Sequence, residues 1–185
     1  MRADFNALIA DVYSCVVEPA GWGDLLPRIA RALGGHAAAL QHQRRGESTL
    51  TMTHASGLSA SWLADYARDW DKENPWRIRS LEHGWSQPAH MRHTAIHVSA
   101  LVAPAELRRT ALFNECLARA DLYDCIGLPL FAGDDALWIA VFCGRAKNLF
   151  DDSDVSNARA LAAHIGRAAH AGAKVAESRS ASRRT

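Results

Sequence analysis

The chain has 185 residues, of which 49% are hydrophobic and 22% charged, and its formal net charge at pH 7 is +1. This length can bury a substantial core in one domain, and the near-zero charge argues against a nucleic-acid-binding surface spread over the fold. No apolar run is long enough to predict a transmembrane helix. The N-terminal apolar pattern is interrupted by Asp4 and Asp11 and lacks a signal-peptide core. We therefore expect a cytoplasmic protein with no membrane partner.

The first part of the chain is predicted to form two helices and a hairpin. Apolar residues at helical spacing predict helices over residues 5–16 and 22–33, the second ending at two glycines. Pro27 lies in the early part of the second helix, where it would mark the true start. Segments 37–43 and 48–54 then predict two paired strands, because polar and apolar residues alternate in the returning one.

Three large aromatic residues define the next element. Trp62, Tyr66 and Trp70 recur every four residues, so they lie on one face of a single predicted helix, for which Ser59 is a plausible N-cap. Pro75 ends this helix, because proline disfavours helical geometry in the residue before it.

A further tryptophan, Trp85, follows after a short polar segment and could return towards the aromatic face. Two interpretations of these rings are open. They pack in the core, as large aromatic side chains commonly do, or they form the wall of an apolar pocket for a small molecule.

The C-terminal half is predicted to hold a second hairpin between two helices. Residues 86–103 predict a loop with at most one irregular strand, and Pro104 opens a helix. Its predicted face consists of Leu107, Ala111, Asn114 and Leu117. Segments 123–131 and 136–144 flank the turn signal Gly133-Asp134. Both faces of the second strand are apolar, so helices should cover both sides of the sheet.

The last helix is predicted to start near residues 151–153. We divide the chain into a domain over residues 1–172 and a basic linker or disordered tail over residues 173–185. The predicted fold class is α+β, a three-layer α-β-α sandwich around a mainly antiparallel sheet.

This order of elements resembles the N-terminal sensor domains of LuxR-type helix-turn-helix transcription regulators, both the autoinducer-binding and the PAS- or GAF-like groups. The resemblance covers most of residues 5–172. The autoinducer-binding pattern is matched by Trp62, Tyr66, Asn74-Pro75 and Trp85, and segment 103–131 resembles the later half of such sensors.

The resemblance implies roles for three of these residues. In the family the tryptophan donates to the lactone carbonyl of an acyl-homoserine lactone, the tyrosine forms an aromatic wall and an aspartate accepts the ligand amide N–H. Trp62, Tyr66 and Asn74 would take those places. Asn74 stands where the family has aspartate and Leu58 where it has tyrosine, so we predict an apolar or amphipathic ligand without specifying a lactone.

The implied function is a small-molecule-sensing regulatory domain that forms a homodimer and couples ligand binding to DNA binding. No helix-turn-helix pattern follows the last predicted helix, so DNA contact is expected only through an attached module absent from this sequence, truncated or never present. The candidate ligand-binding residues are Trp62, Tyr66, Trp70, Asn74, Trp85, Phe113 and Trp138. The alternative is a ligand-free dimerisation module whose aromatic face is core.

Other constellations predict no catalysis and no cofactor. His90, His93 and His97 have side chains that can bind metals, but no carboxylate or thiolate lies at ligand spacing nearby. We therefore interpret them as surface or loop histidines and keep a haem or metal sensor only as a third alternative function. The sequence contains no nucleophile elbow, phosphate-binding glycine loop or histidine-glutamate metal motif, so we predict that the chain is not an enzyme. The four scattered cysteines indicate reduced thiols.

Overall fold

The computed structural model of the chain describes residues 2–15, 21–43, 51–82, 94–132 and 135–182. The α-helices are α1 (Arg2–Ser14), α2 (Trp22–Ala32), α3 (Ala60–Asp65), α4 (Pro75–Glu82), α5 (Pro104–Leu107) and α6 (Asp152–Ser182). The strands are β1 (Ala37–Gln43), β2 (Thr51–Ser56), β3 (Ile96–His97), β4 (Asp124–Ala132) and β5 (Asp135–Cys143). Two π-helical segments, Tyr66–Trp70 and Leu112–Leu117, complete the main elements.

The strands form one sheet in the order β2-β1-β5-β4-β3, and all neighbouring pairs are antiparallel. Both predicted hairpins form; their turns lie outside the described residues. The β4–β5 pair keeps one continuous register, from Asp124 opposite Cys143 to Ala132 opposite Asp135. The predicted antiparallel α+β fold is therefore confirmed.

Helices cover both faces of this sheet because its central strands are apolar on both sides. In β5, Ile139 and Val141 belong to a core formed with α1, α2 and α6. Ala140 and Phe142 alternate with them and belong to a second core, formed with the segments between α3 and the second π-helix. The outcome is the three-layer α-β-α sandwich that the pattern of β5 predicts.

Helix α2 begins at residue 22 as predicted, but the role given to Pro27 is wrong. Gly21 is the N-cap, so Pro27 lies inside the helix and does not start it. The proline removes one helical hydrogen bond, and the burial of Leu26 and Ile29 beside it offsets that cost. The predicted end of the last helix is also wrong. Helix α6 continues to Ser182, so the described part of the predicted tail is helical; its role as a linker stays a prediction.

The two central helical segments are less regular than predicted. Ser59 does cap the aromatic segment by accepting from the backbone N–H of Trp62 at 3.1 Å, but α3 then passes into a π-helical turn at Tyr66. The second segment has a similar break, and Ala111 and Asn114, predicted to lie on the inner face, are exposed. The buried leucines are Leu107, Leu112 and Leu117, which are five residues apart. This spacing matches the i→i+5 hydrogen bonds of a π-turn and not the α-helical period.

A buried carboxylate joins the far edge of the sheet to the start of α6. Asp124 is 1% exposed. It accepts hydrogen bonds from Ser99 Oγ at 2.8 Å and from the backbone N–H of Phe150 at 2.9 Å. It also shares a 2.5 Å hydrogen bond with His97 Nε2. One side chain of β4 therefore holds two separate segments, residues 97–99 and the backbone at Phe150.

The described helices include none that is both long and apolar enough to span a membrane.

Replacing this carboxylate should destabilise the fold. Asp124→Asn turns one acceptor oxygen into a donor that faces other donors, so we expect a loss of about 3 kcal/mol in the free energy of unfolding. Ser99→Ala removes only one of the three bonds and should cost about 1 kcal/mol. Urea unfolding of both variants measures the difference; equal losses would show that the other two bonds contribute nothing.

Candidate ligand-binding cavity

A cavity of about 90 Å³ lies between the sheet face that carries Ala140 and Phe142 and the segment from α3 to α4. Most of its walls are apolar or aromatic. The lining residues are Gln41, Met52, Trp62, Tyr66, Asn74, Trp76, Arg77, Ser80, Ile96, Val98, Leu117, Cys125, Gly127, Trp138, Ile139, Ala140 and Phe142. An apolar wall with a few polar groups is typical of small-molecule sites.

The aromatic wall is built from a stacked pair. The rings of Trp62 and Tyr66 are 5.2 Å apart between centroids, with 19° between their planes, because they lie one turn apart on the same helical segment. The indole Nε1–H of Trp62 donates to the backbone carbonyl of Cys116 at 3.2 Å. This bond ties the aromatic wall to the second π-helical segment.

Asn74 connects the aromatic segment to α4. Its Nδ2 donates to the hydroxyl oxygen of Tyr66 at 2.7 Å, and its Oδ1 accepts from the backbone N–H of Trp76 at 2.9 Å. Asparagine is a favoured N-cap, and Pro75 after it suits the first helical position. The local sequence therefore starts a new helix where the aromatic segment ends.

The polar groups of this wall stay uncharged. Burial raises the pKa of the Tyr66 phenol well above its usual range, so the hydroxyl keeps its proton at neutral pH. Because its oxygen already accepts from Asn74, this proton is available to an acceptor inside the cavity. Burial also raises the pKa of the Cys116 thiol to about 11, which leaves it in the unreactive form.

Arg77 brings a positive charge to the cavity, and its guanidinium is incompletely paired. Its side chain is 10% exposed, and Nη1 lies 3.4 Å from Oδ2 of Asp71 and 3.3 Å from the Asp71 carbonyl. The Nε–H is buried and has no hydrogen-bond partner in the part of the chain that the structure describes. An unsatisfied buried donor costs about 1–3 kcal/mol. Burial raises the pKa of Asp71, against the lowering effect of Arg77.

The structure brings four of the seven candidate residues together at the cavity: Trp62, Tyr66, Asn74 and Trp138. Trp70 and Phe113 are not among its lining residues. Trp70 lies at the end of the π-turn and packs, partly buried, against the same core as Trp62 and Tyr66. Phe113 is core, packed edge-to-face on Tyr123 with centroids 5.3 Å apart. Trp85 lies outside the described residues.

The sequence analysis missed the residues that α4 contributes: Trp76, Arg77 and Ser80. Pro75 was interpreted only as the end of one helix, although an Asn-Pro pair is also an N-cap followed by a first helical residue. That signal would have placed Arg77 on a helix following directly after the aromatic segment.

The histidines form no metal site within the described part of the chain. No group of three metal-binding side chains occurs there. His97 is engaged with Asp124, and its edge-to-face partner is Phe150, with ring centroids 6.5 Å apart. His90 and His93 lie outside the described residues.

The fold is shared with ligand-binding domains of LuxR-family regulators. The N-acylhomoserine lactone-dependent LuxR-family transcription factor CepR2 from Burkholderia cenocepacia superposes with a TM-score of 0.62 at 14% identity, over 92% of this chain and 96% of that chain. The VqsR LBD domain from Pseudomonas aeruginosa gives 0.65 at 11% identity, over 90% and 94%. The resemblance predicted from the sequence is thus confirmed at the level of fold.

GAF domains share the same architecture. A GAF domain from Pseudomonas syringae pv. tomato superposes with a TM-score of 0.51 at 16% identity, over 97% of this chain and 94% of that chain. No family model and no curated protein matches the sequence. At these identities the likeness concerns the fold, which is that of regulatory sensor domains.

Removing the indole N–H should loosen the aromatic wall. Trp62→Phe keeps an aromatic ring but loses the donor to the Cys116 carbonyl, so we expect about 1 kcal/mol less stability in urea unfolding. Trp70→Phe is the matched control, because Trp70 is a half-buried tryptophan on the same segment outside the cavity; its change should stay within about 0.5 kcal/mol. Similar losses in both variants would contradict a specific role for the hydrogen bond.

Proposed function

We propose that this chain is the small-molecule-sensing domain of a LuxR-type transcription regulator and that its ligand binds in the cavity between the sheet and α3–α4. The observation that carries the proposal is the cavity itself, which combines mostly apolar walls with a few polar groups. The shared fold supports the class of protein, since one neighbour is described as dependent on an N-acylhomoserine lactone.

The size of the cavity favours a compact ligand. Its space of about 90 Å³ is smaller than an engineered apolar cavity of about 150 Å³ that binds benzene, so a ligand of that size or larger has to widen the cavity or extend out of it. The indole N–H of Trp62 and the side-chain carbonyl of Asn74 already have partners within the protein. A lactone that used both groups would have to displace or share these bonds, so we propose a compact apolar or amphipathic molecule instead.

Binding would act by differential affinity for two conformations of the domain, which shifts its dimerisation or the DNA affinity of an attached helix-turn-helix module. The role of the chain is then regulatory and not catalytic.

A second candidate is a ligand-free dimerisation module. The internal hydrogen bonds of Trp62 and Asn74 favour it, because the indole N–H and the side-chain carbonyl already have partners without a ligand. The two candidates differ in one measurable property, which is whether any small molecule stabilises the domain.

A thermal-shift screen of acylated lactones, fatty acids, aromatic acids and indoles tests the proposal. A ligand at about a hundred times its dissociation constant adds roughly 2.7 kcal/mol, which corresponds to a rise of about 2–4 °C per kcal/mol in Tm. If no compound shifts Tm, after mass spectrometry has excluded a co-purified ligand, the dimerisation module is the better account.

Blocking the cavity should abolish binding without unfolding the protein. A Cβ built on Gly127 would lie 3.8 Å from Trp138 Cε3 and 4.0 Å from the Ile96 carbonyl, which is ordinary contact distance. Gly127→Val therefore fits the strand and directs methyl groups at the cavity. We expect at least ~10-fold weaker ligand binding and unchanged or higher stability, since a strand glycine is replaced.

Gly127→Ala is the matched control, because it adds one carbon and should lose little affinity. Calorimetric titration of both variants with a compound found in the screen measures the effect. Full affinity in Gly127→Val would place the ligand elsewhere on the protein.

A further inference from the structure

The cavity wall has one kind of charge. Arg77 is the only charged residue among the lining residues, as far as the described part of the chain shows. Its partner Asp71 is buried but does not line the cavity. A ligand in contact with this wall therefore meets a guanidinium and no carboxylate.

The contacts to Asp71 leave the Nε–H of Arg77 without a hydrogen-bond partner among the described residues. Both contacts to Asp71 are made by Nη1, at 3.4 and 3.3 Å, whereas charge-assisted hydrogen bonds usually measure about 2.7–2.9 Å. Nε and Nη2 form the edge of the guanidinium that can bind a carboxylate through two parallel hydrogen bonds.

The groups near Arg77 are also donors. Tyr66 lines the same cavity as Arg77, and its hydroxyl, whose pKa burial raises, keeps its proton. The Asn74 amide nitrogen, which donates to Tyr66, carries a second N–H. A cluster of donors around a cation stabilises an anion and repels a cation.

We propose that the ligand of this cavity carries a carboxylate, which Arg77 binds through its Nε edge with the Tyr66 hydroxyl as a further donor, while its compact apolar body lies on the aromatic wall. This inference rests on the proposed sensor function and narrows its ligand to small carboxylic acids.

The test compares acids with their neutral amides on the full 185-residue chain. The probes are three matched pairs: benzoate and benzamide, indole-3-acetate and indole-3-acetamide, and hexanoate and hexanamide. Calorimetric titration at pH 7.5 gives the affinity ratio within each pair. For the pair that fits the cavity, the acid should bind roughly 10- to 100-fold more tightly, because hydrogen bonds between charged groups are the stronger ones.

Variants of the ion pair assign this preference to Arg77. Arg77→Met combined with Asp71→Asn removes both charges, leaves no buried charge unpaired and should abolish the preference for the acid. Arg77→Lys keeps the charge but cannot form a bidentate hydrogen-bonded pair, so it should retain part of the preference for the acid. Asp71→Asn alone should strengthen acid binding, since it removes the competing carboxylate. Arg79→Met is the control, because Arg79 lies on the same helix but is exposed and paired with Glu82 at 3.0 Å.

The outcomes separate this inference from the proposed function. Acid preference that disappears in the double variant and persists in Arg79→Met supports Arg77 as the carboxylate site. Amides that bind as tightly as acids, or a double variant that still prefers acids while circular dichroism shows it folded, overturn the carboxylate inference and leave the sensor function standing. No binding by either member of any pair, together with a negative thermal-shift screen, overturns both.

Discussion

The cavity wall depends on the hydrogen bonds of the Asn74 side chain. One amide group holds the Tyr66 hydroxyl on one side and caps α4 through the Trp76 N–H on the other. The first bond keeps the Tyr66 ring stacked on Trp62, and the second fixes where α4 starts and therefore where Arg77 lies. The aromatic wall and the helix that carries Arg77 are consequently joined by one hydrogen-bonded side chain. Without the Asn74 amide, the Tyr66 hydroxyl and the Trp76 N–H would lose this partner while buried.

The layers of the fold could be predicted from the sequence because they follow from periodicity. The alternation in β5, with Ile139 and Val141 on one side and Ala140 and Phe142 on the other, requires cover on both faces, and the structure provides it. The π-turns were missed because an α-helical period was assumed throughout. In the second segment the buried residues Leu107, Leu112 and Leu117 recur every five residues, and the assumed period placed Ala111 and Asn114 on the wrong face.

The candidate site was predictable where it is aromatic and not where it is charged. Trp62 and Tyr66 stand out by their size and spacing, and they do meet at the cavity. Arg77 stands between Trp76 and Ile78 and two residues before Arg79. This local pattern does not show which of the two arginines is buried. The burial of Arg77 depends on tertiary structure: Asn74 starts the helix that carries it, and the buried carboxylate of Asp71 forms an ion pair with it.

Strand β4 separates the cavity on one face of the sheet from the core that α6 forms on the other face. Cys125 and Gly127 of β4 line the cavity, while Ile126 and Leu128 between and after them lie in the core that α6 also forms. Alternate side chains of a strand point to opposite faces, so neighbouring residues of one backbone serve two compartments. A change in cavity volume that moves the backbone of β4 therefore also changes the packing between the sheet and α6.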